Sequence, residues 1–198
     1  MAQVLDILNK SNRHAIIRTD LLIGTDVGAY LGMGRFYHPN EPAGSPVTPA
    51  GGDGLVPAAI DNGNVVKIGD LIEGERDLRV YTMPTAYTPI EQLGIVASPE
   101  RFYDGLTHGA KDYVNIEGHN LRVYLLTGMT SSACFTVTAD GFEIAAGATP
   151  EKGWLAELQA GTKMTLVAAA TGATVVGKVI GVTKLEGVEA YTIGKVVA

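Results

Sequence analysis

Chemistry in a chain this size rests on a few residue types at fixed spacing. The four histidines, His14, His38, His108 and His119, lie far apart, and none sits in H-x-x-x-H or H-E-x-x-H, the spacings that bring two imidazoles to one metal. His108 and His119 bracket a glycine-containing loop with Asp104, Asp112 and Glu117. A loop metal or sugar site is one reading and a solvated polar loop the other; the missing ligand motif favours the second. Glu73, Glu75 and Asp77 surround Arg76. Paired carboxylates cleave glycosides only from a cleft at defined separation, whereas alternating signs on a turn mark a solvated or edge-protecting face. Cys134, the one cysteine, lies in the apolar run "ACFTV" and reads as a small buried hydrophobe. Ser98 reads as a helix N-cap and Ser131–Ser132 as a turn. No G-x-S-x-G elbow occurs, and "GAYLGMGRF" fits neither phosphate-binding glycine pattern. The expectation is a protein that is not an enzyme and carries no metal and no cofactor. Trp154, the lone tryptophan, reads as core packing, with a sugar platform as the sharper alternative.

The elements that would position such residues read as strands and turns. "NGNVVKIGDLI" carries the hairpin signal Asn62-Gly63, then alternation at Val66, Ile68 and Leu71. Glu73-Gly74 predicts a turn before "LRVY", which recurs at Leu121–Tyr124; both copies read as strands of similar burial, not as a duplication. "EQLGIVA" predicts a short buried strand. "SPERFYDG" predicts a short helix, with Ser98 as N-cap, Pro99 at the first helical position and Gly105 ending it. "ACFTVTADGFEI" holds further strand and an Asp140-Gly141 turn. From Trp154 the chain reads as four strands joined at Ala160-Gly161, Thr171-Gly172 and Glu186-Gly187; turns at this spacing mark a small barrel or sandwich. The predicted fold class is mainly β: a small barrel-like or sandwich-like domain with one short helix and an extended N-terminal arm.

The arm reading comes from residues 1–54. Tyr30, Leu31, Met33, Phe36 and Tyr37 crowd among glycines and must bury against the main domain or a partner. Pro39, Pro42, Pro46 and Pro49 follow, with Gly44, Gly51, Gly52 and Gly54, a composition that favours extended backbone. The expected division is an arm over 1–54 and a β-domain over 55–198, the latter with subdomains near 55–145 and 146–198. The expected partner contacts are Tyr30, Leu31, Phe36, Tyr37, Pro39, Pro42, Pro46 and Pro49.

The net charge of −6 and scattered Lys and Arg disfavour direct nucleic-acid binding. A single cysteine suits a protein assembled in a reducing cytoplasm. The first residues lack a signal-peptide pattern, and "AIIRTDLLIGTDVGAYLGMG" is too interrupted by charge for a membrane span, so no membrane association is expected.

The stretches "LVPAAIDNGNVVKIGDLIEGERDLRVYTMPTA", "LGIVASPERFYDG" and "VNIEGHNLRVYLLTGMTSSACFTVTADGFE" resemble the capsid decoration, or cement, proteins of tailed bacteriophage heads, over about residues 55–197. The resemblance implies a non-enzymatic virion protein with a glycine-punctuated C-terminal barrel. It would bind the major capsid protein on the outer face of the shell and stabilise the lattice. It would associate with itself, a trimer being one form, after assembly in the host cytoplasm. The alternative is a carbohydrate-binding or host-attachment β-module of a phage fibre or tail.

Overall fold

The structure, a computed structural model, describes residues 14–18, 31–39, 55–99, 113–128 and 133–196. The fold is mainly β: among the described residues 49% are in strands and no helix has seven residues or more. In chain order the strands are β1 (Ile17–Arg18), β2 (Leu31–Pro39), β3 (Leu55–Pro57), β4 (Val65–Leu71), β5 (Leu78–Thr82), β6 (Leu93–Val96), β7 (Leu121–Leu125), β8 (Cys134–Thr138), β9 (Phe142–Glu143), β10 (Leu155–Glu157), β11 (Met164–Val167), β12 (Val175–Leu185) and β13 (Val188–Gly194).

Five strands close into a barrel in the order β2-β5-β4-β6-β7 and back to β2, with β3 appended to the far end of β2. The closure turns on β2. Leu31–Gly34 pair antiparallel with β7, Met33–Phe36 pair parallel with β5, and Tyr37–Pro39 leave the barrel to pair with β3. The other seven strands form an open sheet in the order β1-β8-β13-β12-β10-β11-β9.

A five-strand barrel is narrow, because barrel diameter grows with strand number and eight strands leave an interior that side chains just fill. The inward positions therefore mix large side chains with none. Phe36, Val66, Tyr81, Val96, Leu121 and Val123 fill the lumen together with Ile60. Gly34 faces them: a Cβ there would stand 2.1 Å from the Arg79 carbonyl oxygen and 2.7 Å from the Tyr81 ring. At Gly94 it would stand 2.2 Å from Val123 Cγ1.

The outward sides of β6 and of the parts of β4 and β7 beside it are covered by the open sheet. Val65, Leu93, Ile95 and Tyr124 join Phe135, Val137, Met164, Leu166, Val179, Tyr191 and Ile193 of the open sheet in one core. Both faces of β6 are thus covered, and all four of its residues are buried, which is why "LGIV" reads as a continuous apolar run. Backbone bonds from Val65 N–H to the Thr162 carbonyl (2.7 Å) and from Thr174 N–H to the Ala86 carbonyl (2.8 Å) tie the barrel to the sheet. Phe142 meets Tyr191 edge to face at 5.7 Å.

Several expectations hold. The four C-terminal strands and their three connections stand where predicted, and Glu186-Gly187 closes β12 onto β13 with positive φ at both residues (49° and 80°), the two-residue hairpin geometry. The two "LRVY" segments are β5 and β7, with near-identical burial, and they flank β2 on opposite sides.

Other expectations are corrected. The C-terminal strands are part of the open sheet, and the closed barrel is built earlier in the chain, from residues 31–125. Sheet membership changes between β7 and β8, not near residue 145, and β1 crosses back to the second sheet. Residues 31–39 are not an arm: they form the strand that closes the barrel. Asn62-Gly63 is a turn (Gly63 φ 82°), but its N–H groups serve the barrel end, with Gly63 N–H bonded to the Val96 carbonyl, and β3 does not pair with β4. Most of the predicted helix at 98–105 lies outside the described residues.

The Tyr81 hydroxyl is fully buried and has no hydrogen-bond partner among the described residues. An unsatisfied buried hydroxyl costs about 1–3 kcal/mol. Tyr81→Phe should therefore stabilise the protein by about 1 kcal/mol, raising Tm by about 2–4 °C for a chain of this length; thermal unfolding checks it, and a drop in Tm contradicts it. Burial also pushes the Tyr81 phenol from 10.0 up to about 12, against a small opposing effect of Arg79. Burial raises Tyr191 too, as does the bond its hydroxyl donates to the Glu189 carboxylate. A phenol raised in the folded state adds stability that is complete below its unfolded value and is lost as pH climbs through its folded one. Stability should hold to about pH 10 and fall between about pH 10 and 12, with tyrosinate absorbance rising together with unfolding. Tyr81→Phe should flatten that fall.

Candidate interaction surface

The rung that ends β2 defines the most distinctive surface feature. Pro39 pairs with Leu55, His38 with Val56 and Tyr37 with Pro57. Paired Cα atoms in an antiparallel ladder are about 5 Å apart. The two ends of the Pro/Gly segment 40–54, Pro39 and Leu55, therefore stand side by side on the body. Residues 40–54 themselves lie outside the described residues; what is described is that the strands on either side of them pair with each other.

Beside this rung a cleft of about 400 Å³ opens between barrel and sheet. Phe36, Ala58 and Met83 give it an apolar floor from the barrel side; His38, Glu143, Gln159 and Lys163 stand around it. Among the described residues that line it, Glu143 is the one carboxylate. Among the described residues no group of three His, Cys, Asp or Glu side chains is placed to hold a metal ion. Among them, too, no helix is long and apolar enough to cross a membrane.

The expected contact residues separate. Phe36 is 3% exposed inside the barrel, and Tyr37 is 4% exposed against Ile72, Leu78 and Val80. Burial in the chain's own core removes both as contacts for a partner; of the two fates the aromatic cluster allowed, they take the intramolecular one. Leu31 pairs with Tyr124 and Pro39 with Leu55 through the backbone. Tyr30, Pro42, Pro46 and Pro49 lie outside the described residues.

Other candidates resolve as structure. Glu73, Glu75, Arg76 and Asp77 are exposed on the β4–β5 turn, where Glu75 meets Arg35 at 3.4 Å and Arg35 Nε also donates to Asn120 (2.9 Å). Glu117 and His119 are exposed, while Asp104, His108 and Asp112 lie outside the described residues. Trp154 is partly buried against the shared core, which leaves it a poor platform for a sugar. Cys134 is buried, and burial pushes its thiol up.

Sequence reasoning missed two polar groups that shape the body. Asn62, 1% exposed, donates to the Ser98 carbonyl (3.0 Å) and accepts from Ser98 N–H (3.0 Å) and from the Asn115 amide (3.1 Å). Asn115 also bridges Ile60 through both backbone groups. The Ser98 hydroxyl accepts from Arg122 N–H (3.0 Å). Together they clasp the barrel end; the only signal was an Asn before a turn glycine. Glu157, 1% exposed, accepts from Thr171 N–H (3.1 Å) and from its hydroxyl, which fixes the β11–β12 connection.

Fold and surface together define a β-body, a closed five-strand barrel packed on an open sheet, in which both ends of the Pro/Gly segment are anchored side by side. No protein family, no characterised protein and no solved structure matches the chain.

Proposed function

We propose that the chain is a non-enzymatic virion structural protein that binds the outside of a tailed-phage capsid lattice and stabilises it. The observation that carries this reading is the Pro39↔Leu55 rung. A fifteen-residue segment held at both ends on the body loses less freedom on docking than a free tail, and its prolines at Pro42, Pro46 and Pro49, three or four residues apart, lower that loss further. Partners in this reading are the major capsid protein and further copies of the chain, and the location is the capsid surface after assembly in the host cytoplasm. The charge of −6 fits a protein that works beside packaged DNA without capturing it.

Co-sedimentation of the purified chain with expanded heads of the phage that encodes it tests the reading. Saturable binding at a fixed number of copies per capsid subunit, with heads that survive higher temperature, is the expected result. Heads that neither bind the chain nor gain heat tolerance overturn it.

A further inference from the structure

Strand β1 is small and isolated, yet its segment is deeply seated. His14, Ala15, Ile16 and Ile17 are 5%, 1%, 4% and 8% exposed. Ile17 and Arg18 pair with Val137 and Thr136 on β8. Ile16 N–H donates to the Thr138 hydroxyl and Thr138 N–H to the Ile16 carbonyl, both at 3.0 Å. His14 Nδ1 stands 2.6 Å from Asp61 Oδ1 on the barrel. The seat is shaped for this segment: a Cβ on Gly141 would lie 3.1 Å from Ala15 Cβ and 2.5 Å from Val137 Cγ1. The β8 edge, Gly141 and Asp61 therefore form a docking site whose occupant is known, the five residues "HAIIR".

What joins plug to body is residues 19–30, twelve residues that reach roughly 40 Å when extended. The contacts of the plug are the same whether it sits in its own body or in that of a neighbour, so local concentration decides between the two arrangements. We propose that residues 14–18 are an exchangeable strand, and that in a crowded array the strand of one copy occupies the β8 seat of a second copy. The exchange stands apart from the capsid reading: it requires only copies held close together.

The register supplies the test. In Arg18→Cys/Thr136→Cys the two thiols face each other across β1 and β8. Mild oxidation of this full-length variant at low and then high protein concentration, read on non-reducing gels, distinguishes the arrangements. Covalent dimers and higher species whose fraction grows several-fold with concentration are expected. Ile17→Cys/Val137→Cys, one rung away, should give the same ladder. An intramolecular disulfide alone at every concentration, or no disulfide in either variant, overturns the proposal. Mixing the Arg18→Cys and Thr136→Cys single variants should give a covalent heterodimer; its absence overturns the proposal as well.

Discussion

Gly34→Ala should lower Tm more than alanine at any other glycine among the described residues. The new Cβ would sit 2.1 Å from the Arg79 carbonyl oxygen and 2.9 Å from its carbon, and both atoms are backbone of the strand parallel to β2. A flexible side chain could swing away; a strand held between β2 and β4 cannot. On the other side Gly34 pairs with Leu121, so β2 has no free direction in which to move. Overpacking a core costs about 1–3 kcal/mol where side chains absorb it, and occasionally more. With backbone as the obstacle, on the order of 4 kcal/mol is expected, a large share of the about 5–15 kcal/mol by which domains are stable. The drop in Tm would be about 8–16 °C at the scaling for chains of this size. Gly181→Ala is the control. Its Cβ would meet only Thr192 at 3.7 Å, an ordinary contact, and Tm should stay within about 2 °C. Equal losses from both substitutions would show that the close approach inside the barrel is not what fixes Gly34.

Replacing residues 40–54 by Asn-Gly should leave the fold intact and abolish binding to heads. The two residues make the tight turn that an antiparallel pair accepts, and the Pro39↔Leu55 rung already holds the ends at hairpin distance. Shortening a loop costs little entropy and can recover some, so Tm should hold or rise by a few degrees. Head binding should fall at least tenfold, because the remaining surface of β2 and β3 is a short ladder. Retained binding at full occupancy would move the contact to another face of the body. Loss of both binding and stability would mean that the segment also holds the barrel together.

Much of the C-terminal half is legible in the sequence because its turns carry their own signals. Ala160-Gly161, Thr171-Gly172 and Glu186-Gly187 punctuate the strands, and β12 and β13 are rich in β-branched residues. The acidic run at 73–77 likewise reads directly as a solvated turn. Strand β2 is illegible for a physical reason. "LGMGRFYHP" has glycine at Gly32 and Gly34, two inward positions where a strand pattern calls for a large apolar residue. The partner that fills the gap, Tyr81, is 47 residues beyond Gly34, and only barrel closure brings it there. The same glycines, with four prolines following, make the stretch resemble an arm. Phe36 and Tyr37 then look like a sticky patch, because the strands that bury them, β5 and the β4–β5 connection, are not adjacent in sequence. Barrel closure itself rests on the β2–β7 pairing across some ninety residues, and local periodicity does not report it.

The most direct measurement is a cryo-EM reconstruction of expanded heads incubated with the full-length chain. The account predicts density for the barrel and sheet on the outer surface of the shell, with the Pro39↔Leu55 end turned toward the major capsid protein and residues 40–54 in contact with it. Heads without added density, or density in which that end points to solvent, would contradict it.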